Sequence, residues 1–155
     1  MTAVDDGGIE QRASVLQAIH LPLTAGTPVA SSNIAYETRS GANGRLWVVN
    51  QDNDTVSVFD AVTRARLAEI AVGTAPRTLA IAGNGMVWVA NKGSATLSVI
   101  DPATLAVSRT ITLARGAQPF GVVASAGGGF ALVVLEGSGQ LLKFSTSTYA
   151  QTGSL

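Results

Sequence analysis

Two stretches of this chain copy one another, and that duplication constrains the fold more than any single residue does. Residues 43–73 align with residues 84–114, so that RLWVVN answers MVWVAN, TVSVFDAVTRA answers TLSVIDPATLA, and LAEIAV answers SRTITL. Trp47 matches Trp88 at an offset of 41, and Asn50 matches Asn91 and Asp60 matches Asp101 in the same register. A third, looser copy follows at a shift of 44, from Gly128 and Gly129 through FALVVLEGSGQLLKFSTST. A fixed period of about forty residues marks a repeat architecture, in which each unit buries its apolar faces against its neighbours.

In the clearest copy, four short runs occupy residues 77–82, 86–91, 96–101 and 107–113. They are separated by Gly83-Asn84-Gly85, by Asn91-Lys92-Gly93-Ser94 and by Pro102-Ala103. The runs are rich in Val, Ile, Leu and Thr and too short for helices. Val87-Trp88-Val89-Ala90 is apolar on both faces, as a sheet packed between two other sheets requires. Four-stranded antiparallel meanders stacked about an axis make a β-propeller. The predicted fold is therefore all-β, with about three four-stranded blades at about residues 30–72, 77–113 and 120–155. An unmatched outer strand at 15–21 and a polar tail over residues 1–14 precede them. Three blades do not close a ring, so the arc is expected to be a piece of a longer propeller or one part of an oligomer that completes it.

Composition narrows the function. Ten basic residues balance ten acidic ones, which gives no electrostatic footprint for nucleic acid. The absence of Cys excludes disulfides, thiolate metal sites and thiol nucleophiles. The N-terminal MTAVDDGGIEQR has neither the basic nor the apolar region of a secretory signal, and no apolar run is long enough to cross a bilayer.

The two best copies, NGRLWVVNQDNDTVSVFDAVTRARLAEIAVGTAP and NGMVWVANKGSATLSVIDPATLAVSRTITLARGAQP, resemble the YVTN-type bacterial β-propeller repeat. The residues carrying the likeness are Val48 to Asn50 and Val89 to Asn91, Asp60 and Asp101, Val72-Gly73, and Pro76 and Pro119. The resemblance implies a propeller outside the bacterial cytoplasm, in the periplasm, on the cell surface or secreted. It does not select among propellers that bind proteins, bind polysaccharide or accompany an enzyme domain.

The repeat also sorts the polar residues. Asn50 and Asn91, and Asp60 and Asp101, recur at the start of turns and are expected to bond nearby backbone amides. Pro28, Pro76 and Pro119 recur ahead of the inner strand as fixed-φ residues. Asp52, Asn53 and Asp54 form an acidic turn that lacks the spacing of a calcium loop. In propeller geometry the loops entering the inner strand share a face with those joining the second and third strands. Asp52, Asp54, Arg77, Lys92, Arg115 and Glu136 are thereby expected to gather at one channel mouth as the ligand-binding surface. His20 is the single histidine and is expected on the surface, and Gly127-Gly128-Gly129 is a turn. No catalytic residue, metal site or cofactor is assigned. The expectation is a non-catalytic module that binds a protein or glycan, with no nucleic acid and no membrane insertion. The alternative is a piece of a metal-dependent lactonase- or lyase-like propeller whose active-site residues lie mostly elsewhere.

Overall fold

The computed structural model describes residues 33–125 and 127–155, together with the backbone of two short strands, β1 (Thr2–Val4) and β2 (Glu10–Arg12). These two pair antiparallel within the span expected as a polar tail. The expected strand at 15–21, with His20 and Pro28, lies outside the described residues.

Three four-stranded antiparallel sheets follow, each a meander in chain order. The first blade is β3 (Ile34–Glu37), β4 (Arg45–Asn50), β5 (Thr55–Asp60) and β6 (Arg66–Ala71). The second is β7 (Pro76–Ile81), β8 (Val87–Asn91), β9 (Thr96–Asp101) and β10 (Ala106–Thr112). The third is β11 (Pro119–Ala124), β12 (Phe130–Leu135), β13 (Gln140–Ser145) and β14 (Gln151–Ser154). A single 3-10 turn, Gln51–Asn53, is the helical content of the described residues. The predicted all-β fold of three blades is what the chain adopts.

The turns repeat as strictly as the strands. Asp54 (φ 56°), Ala95 (φ 51°) and Gly139 (φ 68°) each precede the third strand of a blade in the left-handed region. Arg64 (φ 64°), Leu105 (φ 54°) and Tyr149 (φ 63°) do so ahead of the fourth strand. A side chain in this region costs about 1–2 kcal/mol, so the surrounding hydrogen bonds must over-determine it. Asp60 supplies such bonds, its carboxylate accepting from the N–H groups of Val62 (2.9 Å) and Thr63 (2.7 Å). Asp101 accepts from Ala103 at 2.8 Å. In the third blade the Ser145 hydroxyl takes over, accepting from Ser147 (3.3 Å) and Thr148 (3.2 Å).

Packing runs from blade to blade. Trp47 pairs with Ala35 and Val58, and Trp88 with Ala80 and Val99, so the two indoles occupy equivalent positions in adjacent sheets, and both are fully buried. Trp47, Val49, Val56 and Val58 meet Leu79, Val87, Val89 and Ile100 of the second blade. Trp88, Ala90, Leu97 and Val99 in turn meet Ala131, Val133, Leu142 and Phe144 of the third. The middle blade is covered on both faces, and every residue of β8 is buried. The doubly apolar β8 sequence thus reflects its place between two sheets.

No β-ladder joins one blade to the next. Side chains of the inner strands do so instead. The Asn33 Oδ1 accepts from the Leu79 N–H at 3.1 Å, and Thr78 Oγ1 donates to the Phe120 carbonyl (2.7 Å) and accepts from the Val122 N–H (3.1 Å). Outward, the blades leave wedge-shaped clefts of about 360 Å³ and 400 Å³ lined at equivalent positions, the first between β6 and the second blade, the second between β10 and the third.

Asn50 and Asn91 depart from their expected role. Each amide crosses to the neighbouring strand rather than bonding local backbone. Asn50 Nδ2 donates to Thr55 Oγ1 (3.0 Å) and Ser57 Oγ (2.8 Å), and Asn91 Nδ2 to Thr96 Oγ1 (3.0 Å) and Ser98 Oγ (2.9 Å). Both are strand residues buried in the sheet, where the Thr and Ser hydroxyls across the ladder satisfy the amide N–H groups. The third blade replaces the trio with Leu135, Gln140 and Leu142.

Candidate functional site at the loop face

A repeated frame builds one face of the arc. Ala75 (φ 50°) and Gln118 (φ 49°) are left-handed residues placed directly before Pro76 and Pro119. Residues before proline prefer extended conformations, so the same strained junction recurs at two inner strands. Immediately after each proline the ladder slips by one residue, between Pro76 and Thr78 and between Pro119 and Gly121. Arg77 and Phe120 are the residues that bulge out. A bulge re-aims its side chain out of the sheet pattern, and here it does so at the same place in successive blades.

The loops joining the second and third strands fold against that junction. The Lys92 N–H donates to the Ala75 carbonyl (3.1 Å) and the Gly93 N–H to that of Thr74 (2.9 Å). In the third blade the Glu136 N–H donates to the Gln118 carbonyl (3.0 Å) and the Gly137 N–H to that of Ala117 (3.2 Å). Gln51, Lys92 and Glu136 hold one position in the three blades, at offsets of 41 and 44.

The displayed side chains form a connected row across the arc. Arg77 Nη1 donates to Gln51 Oε1 at 2.7 Å. The Arg77 guanidinium carbon lies 5.8 Å from the centroid of the Phe120 ring, and Lys92 Nζ lies 5.8 Å from the same centroid. Lys92 Nζ then reaches Glu136 Oε2 at 2.6 Å. Of the six residues the sequence grouped here, Arg77, Lys92 and Glu136 belong to this row. Asp54 joins it through backbone, Oδ1 accepting from the Ala75 N–H at 2.8 Å. Asp52 is exposed on the 3-10 turn beside Gln51.

Arg115 is different. It lies in a connection two residues longer than its counterpart in the preceding blade, next to Gly116 (φ 76°), and no hydrogen bond or ion pair among the described residues ties it to the other five. Gln51 and Phe120 complete the row although sequence reading did not select them. Their signal was positional, because Gln51 aligns with Lys92 and Glu136, and Phe120 aligns with Arg77. Among the described residues no three of His, Cys, Asp and Glu stand close enough together to hold a metal ion, and no helix is long and apolar enough to cross a membrane.

Three blades of this construction define a β-propeller arc. The sequence matches the YNCE-like beta-propeller family over residues 7–143, and the chain belongs to that family. Solved structures share the fold. Hydrazine synthase of Kuenenia stuttgartiensis superimposes with a TM-score of 0.74 at 24% identity, over 91% of this chain and 39% of that one. Virginiamycin B lyase from Staphylococcus aureus gives 0.69 at 11% identity, over 99% and 47%. The dihydro-heme d1 dehydrogenase NirN gives 0.70 at 20% identity, over 99% and 32%. The chain thus spans less than half the length of these structural relatives. No curated protein matches the sequence.

Proposed function

We propose that the chain is a non-catalytic propeller module that presents the Gln51–Arg77–Phe120–Lys92–Glu136 face to a protein or glycan, as part of a larger periplasmic, surface or secreted protein. The supporting observation is the combination of constant frame and variable display. The left-handed residue, the proline and the bulge recur, while the residue they hold out changes from Arg77 to Phe120. On this reading the blades are repeats of the YVTN type, and their open faces are covered by further blades of a longer chain or by a second copy. The test is a binding screen against purified envelope glycans and proteins, with Arg77→Gln and Phe120→Leu compared with Thr104→Lys, in the turn between β9 and β10. Loss of binding confined to the first two supports the reading, and equal loss in all three defeats it.

A second reading makes the arc part of a propeller enzyme. The lyase and dehydrogenase among the structural relatives favour it, although at 11% and 20% identity they share only the fold. Turnover by the full-length protein that survives Arg77→Gln and Phe120→Leu would select this reading.

A further inference from the structure

The residues that the frame holds out specify a ligand chemistry. Phe120 is 45% exposed, so an apolar ring stands in water at the loop face. Two cations converge on it, each 5.8 Å from its centroid. Lys92 is engaged by Glu136, and Arg77 is positioned by Gln51 before a ligand arrives. Such preorganisation lowers the ordering cost of binding. The Lys92 contact is also exchangeable: the Glu136 side chain is 52% exposed, and exposed ion pairs contribute little.

A half-exposed apolar ring with two positive charges lying over it matches a ligand that carries an apolar face and a carboxylate on one rigid ring. It matches less well an acidic peptide, whose carboxylates sit on flexible stems away from apolar surface. Resting on the loop-face reading above, we infer that the ligand is an acidic glycan. A uronate ring lies with its C–H face against the exposed part of Phe120 and its carboxylate toward Arg77 and Lys92, replacing Glu136 as the lysine's partner.

The experiment is calorimetric titration of the whole chain with galacturonate oligomers, their neutral methyl esters and poly-glutamate. The expected result is binding of the free acid alone, weakened by salt. Phe120→Leu and Arg77→Gln should each lower affinity by about tenfold, and Phe120→Tyr should retain it. Glu136→Gln should tighten binding by removing the competing carboxylate. A residue serving only to hold the loop would not produce that gain. Equal binding of the neutral ester, preference for poly-glutamate, or no binding of any of the three overturns the glycan class. The loop-face reading is judged separately, by whether Phe120→Leu and Arg77→Gln abolish binding of whatever partner the screen identifies. Galacturonate binding indifferent to both variants overturns the two together.

Discussion

Trp47 and Trp88 hold the same position in neighbouring blades, yet only Trp47 has an acceptor for its indole N–H, Glu37 Oε2 at 2.8 Å. Trp88 Nε1 is buried without a partner, because Ala82 stands where Glu37 does. Glu37 also lies 3.9 Å from Arg45, whose Nη1 donates to the Pro102 carbonyl of the second blade at 2.6 Å. Glu37→Ala should therefore destabilise the chain by about 1–3 kcal/mol, since it strands a buried donor. Urea denaturation followed by Trp fluorescence measures this, and an unchanged midpoint would remove Glu37 from the account.

Gly73 gives the second prediction. A Cβ there would lie 2.6 Å from Thr96 Oγ1 and 2.7 Å from Asn91 Nδ2. At the matching place in the next blade, where the polar trio is replaced by Leu135, Gln140 and Leu142, the chain carries Ala114. Gly73→Ala should cost about 1–3 kcal/mol through overpacking, whereas Ala114→Gly should cost less. Paired thermal melts decide it.

Acid should act through Asp60. Hydrogen bonds from the Thr63 N–H first, and then from the Asn43 amide, hold its carboxyl down from 3.8 to about 2. The folded form is thus favoured by ionisation. Its contribution is complete above about pH 5 and is lost as pH falls through 3.8 toward 2. Asp60→Asn should flatten the decline of melting temperature across that window, and a parallel decline in both proteins would contradict it.

The acidic turn should not take up calcium. Asp54 already spends Oδ1 on the Ala75 N–H, and one turn offers too few oxygens to replace the ion's hydration shell. Added calcium should leave the melting temperature unmoved. A rise of several degrees that disappears in Asp54→Ala would make the turn a site.

The blade faces at the ends of the arc should drive association. Ile34 and Tyr36 on the first blade are 61% and 59% exposed, and Val123 and Val134 on the third are 58% and 47% exposed. Covering apolar surface contributes roughly 25 cal/mol per Å². The 155-residue chain alone should be a dimer, a higher oligomer or an aggregate by light scattering at micromolar concentration, with Val134→Lys shifting it toward monomer. A wild-type monomer that binds no hydrophobic dye would refute this.

The period, the turn aspartates and the buried tryptophans were legible because each is a local pattern stated twice. Asn50 and Asn91 were misjudged because a turn and a buried strand end look alike until the Thr and Ser across the ladder are placed. The site was half legible. Position in the repeat located Arg77, Lys92 and Glu136, but the row through Phe120 depends on two bulges, which alternation in sequence does not reveal. Arg115 belongs to the longer connection before β11, where the alignment breaks, and no hydrogen bond or ion pair among the described residues ties it to the row.

The lack of any ladder between blades has a mechanical consequence. Each sheet pairs only its own four strands, and its neighbour is held by packing and by single side chains such as Thr78. A chain stretched from its ends should then give way in discrete steps, one sheet at a time. Each step would release about forty residues, roughly 14 nm of contour, making the arc a graded shock absorber rather than a rigid strut.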